Sequence, residues 1–427
     1  MNMLTLDTTG HFFLGAAVVL ALSHLAGTLF TRLGQPRVMG EVIAGIALGP
    51  SLLGSMAPEA TAWLFPSAIL PMFNGLAQLG LAVFMFATGQ ELCSLRVRGT
   101  ARQGLVISQA SLLIPFAAGS LVAIPLADRY APPGLSPLVF VLFVGCAVSI
   151  TAFPVLARML DDLGIARTRP GRLSLLAAAI GDGGSWLALS AILALAQGSD
   201  PVGAALRTLA VAALIALYLG PVRKLAARWS DRHAATANPT TLRIALVGAV
   251  GASAALTAAL GVHQLIGAFL VGLVWPPSAA ATTATSPLTT TAKSVLLPFF
   301  FLGYGLNVDL STLTFTGGAV LVLAALLAVA VLTKIFGTGL AARSTGLPWR
   351  ESLSLGALLN TRGLTELVVL QIGHESHLLT APLFAILTLV ALITTLMTGP
   401  LLKLTGVPTA DTPAAPPTPT REPATTP

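Results

Sequence analysis

The chain has 427 residues, of which 55% belong to the set AVILMFWYC and only 9% are Asp, Glu, Lys or Arg. About a quarter of an ordinary soluble domain is charged, so this chain has too little charge to coat a water-facing surface of its size. A string of soluble domains is excluded, and an all-α polytopic membrane protein is implied. The net charge of +7 reads as cytoplasmic loop charge rather than as nucleic-acid binding. Two cysteines, Cys93 and Cys146, supply neither a disulfide framework nor a metal cluster.

A spanning helix needs about 20 mostly apolar residues. Thirteen such runs follow one another: 12–31, 38–55, 68–92, 103–127, 136–158, 173–197, 202–222, 242–260, 262–276, 293–311, 316–341, 351–373 and 381–403. No Lys or Arg precedes the first, while Arg32 and Arg37 follow it, which argues against a cleaved leader and places the N-terminus outside. The stretch 242–276 reads either as one very long helix or as a pair broken at Gly261-Val262-His263. Charge favours the pair: thirteen spans put nineteen Lys and Arg inside and leave only Arg129 and Arg207 outside. The C-terminus is then cytoplasmic. Residues 276–291 read as a polar inner linker, and 407–427, with seven Pro and six Thr, as a disordered tail.

Breakers and charges inside the spans carry the chemistry. The fifth span contains Ser149-Ile150-Thr151-Ala152-Phe153-Pro154, where Pro154 opens the helix near Ser149 to Thr151. The twelfth contains Asn360-Thr361-Arg362-Gly363-Leu364-Thr365-Glu366, a polar stretch that Gly363 allows to unwind. Each is fifth in a set of six spans, 1–6 and 8–13, with span 7 as an odd linker that inverts the second set. Paired interruptions in inverted halves point to a transport site near the midplane. Thr151 and Asn360 would then offer oxygens beside the open half-helices.

Asp182 lies in the sixth span, about ten residues from the nearest charge, flanked by Gly181, Gly183 and Gly184. A lone carboxylate there is costly to keep charged, which suits it to trade a proton for a cation. The alternative is a structural carboxylate bonded to a neighbour or paired with Lys334 of the eleventh span. Lys334 reads either as a counter-ion to a carboxylate or helix C-terminus, or as a titrating carrier. Arg362 and Glu366 stand i,i+4 and read as a scaffold pair. Glu41 and Glu91 read as structural. His24 and His263 lack a second ligand at metal spacing, so no resident metal, cofactor or catalysis is assigned.

Residues 35–54 (QPRVMGEVIAGIALGPSLLG), 86–92 (FATGQEL), Thr151-Ala152-Phe153-Pro154, 297–301 (LPFFF) and 360–367 (NTRGLTEL) together resemble the monovalent cation:proton antiporter-2 family over roughly residues 30–405. The resemblance implies a sodium/proton antiporter-like fold with two inverted six-helix repeats and crossed broken helices. Scaffold and dimerisation helices would be 12–92 and 242–311. Core helices would be 103–197, broken at 149–154, and 316–403, broken at 360–363, with 202–222 as linker helix and 1–11 outside. It implies a homodimer exchanging Na+ or K+ for H+ by alternating access in the cell membrane. The family's ion-binding Asp matches Asp182 and its deep Lys matches Lys334. The residue before that Asp is commonly Asp, Asn or Gln in the family; here it is Gly181.

Other readings remain on the same scaffold. A proton-coupled exporter of a small organic molecule or ionophore suits the room left by Gly181. An intramembrane aspartyl protease would need a second deep Asp beside Ile180-Gly181-Asp182, and none is present. A channel does not account for one isolated titratable Asp between inverted breaks.

Overall fold

The computed structural model describes residues 6–94, 101–166, 168–196, 198, 201–233, 238–260, 264–275, 279–313 and 317–405. All regular structure among them is helical. Among the described residues, eight single helices are long and apolar enough to cross a bilayer. The pair Trp349–Leu359 and Leu364–Glu375, bent by 41°, makes a ninth if it is one span. The sequence count of thirteen is larger because it admits short and interrupted helices, such as Pro137–Ser149 and Gln264–Val274. The described residues of each of the thirteen runs lie mostly in helix, although the number of spans stays at eight or nine by length and apolarity.

The stretch expected to be a polar linker is different. Residues Ala279–Thr291 form a helix that continues through a π-helical turn, Ala292–Leu296, into Leu297–Asn307. Alanine is the best helix former, and the segment packs along Pro239–Ala259, where Arg243 Nε donates to the Ala284 carbonyl. The proposed break at 261–263 and the tail lie outside the described residues.

Two kinds of contact hold the bundle. Arg37–Leu48 crosses Leu297–Asn307 backbone against backbone: a Cβ added at Gly45 would collide with the Phe301 carbonyl, and one at Gly305 with Gly45 itself. Small residues permit such close approach where no hydrophobic force drives helices together in lipid. Around Asp182 the contacts are polar instead. The helices Ala101–Ala123, Arg169–Ala196, Gly317–Ser344 and Ala381–Thr405 surround the two broken pairs.

Candidate functional site

The first broken pair consists of Pro137–Ser149 and Phe153–Asp162. Ile150 turns the chain into an extended conformation (ψ 140°). Pro154 falls in the first turn of the second piece, where its missing N–H leaves no intrahelical bond unmade. The last four carbonyls of a helix have no partner within it, and here all four are taken. Ser149 Oγ donates to Cys146 O at 2.8 Å, and Arg362 Nη1 to Ala147 O at 3.0 Å. Arg362 Nη2 donates to Val148 O, and Lys334 Nζ to Ser149 O at 2.6 Å. Two buried cations thus sit at the negative end of this helix's dipole.

Lys334 reaches that position from a π-helical turn, Thr333–Gly337, in the middle of its span. Its Nζ has further acceptors in Ser111 O (2.7 Å), Thr151 Oγ1 (2.6 Å) and Ser111 Oγ (3.0 Å). Four oxygens therefore surround the Nζ of a lysine that is 1% exposed. Lys334 and Asp182 do not form an ion pair within 4.0 Å; the fully buried bridge among the described residues is Arg362–Glu366, at 2.7 Å. Glu366 Oε2 and Arg362 Nε are buried without partners.

The second broken pair is Trp349–Leu359 and Leu364–Glu375. Gly363 holds φ 149°, a region that side chains avoid, so only glycine completes this break without strain. The two interruptions bond to each other. Thr151 Oγ1 donates to Leu359 O at 2.9 Å, and Ala152 N to Thr361 O at 3.1 Å. Threonines of the last helix finish the satisfaction of the second break. Thr395 Oγ1 accepts the Arg362 N–H at 3.2 Å, and Thr394 O accepts from Asn360 Nδ2 at 3.3 Å.

Asp182 is 4% exposed, at the start of the piece beginning with Phe153. The Phe153 backbone N–H lies toward its carboxylate, so the positive end of that half-helix faces the acid. Oδ1 is buried with no partner. A carboxylate so placed keeps one oxygen free for a proton or a cation.

The structure brings Asp182, Phe153, Thr151, Lys334, Arg362 and Glu366 to the crossing. Asn360 belongs to it as well, but its amide bonds Thr394 rather than Asp182, and its Oδ1 is without a partner. The pairing of Lys334 with Asp182 weighed from the sequence is replaced by the oxygen cage. Glu41 pairs with Arg37 at 2.9 Å, and Arg37 also meets His24 Nδ1 at 3.0 Å. The Glu91 side chain and His263 lie outside the described residues. Ser108, Ser111, Ser185, Thr394 and Thr395 were not singled out from the sequence.

Crossed, interrupted helices around a buried carboxylate, in an all-helical membrane chain, define a polytopic carrier. Residues 18–406 match the family described as sodium/hydrogen exchanger, transmembrane. The chain belongs to that family, whose members are ion exchangers and not enzymes. It is 35% identical over 405 residues to K(+)/H(+) antiporter 1 of Saccharomyces cerevisiae, covering 92% of this chain but 46% of that protein. It is 34% identical to Na(+)/H(+) antiporter NhaS4 of Synechocystis sp., covering 90% of this chain and 94% of that protein. The chain thus spans about half the length of the yeast relative and nearly all of the cyanobacterial one. The structure of the sodium proton antiporter MjNhaP1 from Methanocaldococcus jannaschii shares the fold, with a TM-score of 0.68 at 14% identity over 92% of this chain and 98% of that one.

Proposed function

We propose that the chain is a secondary antiporter exchanging a monovalent cation, Na+ or K+, for H+ by alternating access, with Asp182 as the shared site. The observation that carries this reading is the buried Asp182 carboxylate at the N-terminal end of the half-helix that begins with Phe153, with Oδ1 free. Family membership and relatives named as K+/H+ and Na+/H+ antiporters support the substrate class. An organic-molecule exporter draws no support from those relatives. Thr151 and Asn360 supply oxygens at the crossing, while Lys334, Arg362 and Glu366 hold the charge balance of the two breaks. Proton uptake and cation binding at Asp182 exclude one another, because each neutralises the same carboxylate. The charge bias of the loops supports an N-terminus outside and a C-terminus inside a cell membrane, and the homodimer follows the resemblance.

Purified protein in proteoliposomes with an imposed proton gradient tests the reading. Addition of Na+, K+ or Li+ should dissipate the gradient with wild-type protein. Asp182→Asn keeps the size and hydrogen bonding of the side chain but removes its titration, and should abolish exchange while the protein remains folded. Cation-coupled proton flux retained in a folded Asp182→Asn protein refutes it.

A further inference from the structure

A small pocket lies beside Gly181, on the side of its helix that faces Lys334. It is lined by the polar side chains of Ser108, Ser111, Ser149, Thr151, Ser185 and Lys334. Ser108 Oγ is buried, with its residue 1% exposed, and has no hydrogen-bond partner. Ser111 Oγ accepts from Lys334, which leaves its own proton free to donate. Ser185 Oγ donates to Gly181 O, which leaves its lone pairs free to accept. A Cβ placed on Gly181 would meet nothing nearer than Ser108 Oγ at 3.5 Å, so the space is open.

We propose that this pocket is a built site for one water molecule, held by the hydroxyls of Ser108, Ser111 and Ser185. The room suits a single water, and two to four polar partners are what a buried water requires. The Lys334 ammonium in the wall disfavours a cation. The neutral hydroxyls provide both donors and acceptors, which matches water better than an anion. The water acts at one remove from transport. It fixes the hydroxyl of Ser111, a residue that holds Lys334 through both its carbonyl and its side chain. It is therefore a positioning ligand for the lysine that closes the first half-helix.

The inference rests on the exchange reading only for its transport readout. Gly181→Ala fits without a clash, but its methyl takes the place of the water and bonds to nothing. Exchange should fall about fivefold or more, because Ser108 and Ser111 lose a partner in a buried site. Gly181→Asn is larger, yet its carboxamide can bond the same hydroxyls, and it should retain more activity and a higher thermal midpoint than Gly181→Ala. A purely steric role of Gly181 predicts the opposite order. Ser108→Ala should weaken exchange, and adding Gly181→Ala to it should cost little more. A high-resolution map should show a water-sized peak within about 3.2 Å of Ser108 Oγ, lost in Gly181→Ala. Alanine matching or exceeding asparagine, or no peak in a map that resolves other core waters, overturns the proposal. A wild-type protein without exchange would instead sink the antiporter reading, leaving the peak and the thermal order to judge the water.

Discussion

Among the described residues, Thr151 is the one side chain that bonds both the second break and the buried lysine from within the first break, so Thr151→Val is the most informative single change. Its Oγ1 accepts from Lys334 at 2.6 Å and donates to Leu359 O at 2.9 Å. Valine fills nearly the same volume and makes neither bond. A hydrogen bond to a charged group contributes about 1.5–3 kcal/mol and a neutral one about 0.5–1.5 kcal/mol, so the combined loss is about 2–4.5 kcal/mol. The Leu359 carbonyl is left in a dry interior, which places the loss toward the upper end. If only about 2 kcal/mol falls on the transport-competent arrangement, the rate drops about 30-fold, at roughly 1.4 kcal/mol per decade. The assay is the initial rate of cation-driven proton flux in proteoliposomes, read beside the thermal midpoint of the same preparations. Thr151→Ser keeps the hydroxyl and should stay close to wild type. A Thr151→Val protein within about twofold of wild type in rate, at unchanged stability, would refute the bridging role, since the bonds it loses would then carry almost nothing.

Gly363→Ala should destabilise the fold and slow exchange, because φ 149° excludes a side chain and the new Cβ would lie 2.7 Å from Val155 Cγ2; a normal melting curve would contradict this. Arg362→Met should cost about 3–5 kcal/mol in denaturant titrations by stranding a buried carboxylate, whereas Glu366→Gln should be much milder because an amide oxygen still accepts from Arg362; equal losses would contradict the assignment. With Gly181 unable to titrate, one proton should leave per monovalent cation if Lys334, with four oxygens around its Nζ, keeps its proton throughout the cycle. Exchange should then be insensitive to an imposed voltage, and voltage-driven acceleration or reversal would show Lys334 to be a second carrier. In the pH range where Asp182 takes up its proton, lowering the pH by one unit should weaken apparent cation affinity about tenfold, since each cation displaces one proton; a pH-independent affinity would exclude a shared site.

The two breaks were legible because their causes are local. Proline and glycine change the backbone wherever they stand, and a charge in a span stands out against apolar neighbours. Asp182, Lys334, Arg362 and Glu366 announced themselves in that way. The hydroxyls did not. A serine or threonine in a membrane helix commonly bonds the carbonyl one turn earlier, as Thr394 Oγ1 does with Val390 O at 2.8 Å. Nothing in the sequence separates such a residue from Ser111 or Thr395, whose roles exist only once three helices meet. The π-helical turn that aims Lys334 was hidden for the same reason, because Leu332 to Gly337 is an ordinary apolar stretch around one lysine. The helix Ala279–Thr291 was missed because the threonine run reads as polar coil, whereas packing against Pro239–Ala259 and the alanines favour helix.

Where Gly45 and Gly305 meet, main chain lies against main chain with no side chain between to serve as a shim. A joint of that kind has one spacing. It neither widens by a rotamer change nor adapts by exchanging one aliphatic group for another. The smallest addition, a single carbon, forces two whole helices apart. Random mutation should therefore find this face nearly closed to variation, while the lipid-facing surface of the same helices accepts almost any apolar residue. A library scan scored on expression alone, with no transport measured, should trace the seam as a line of positions that admit glycine and little else.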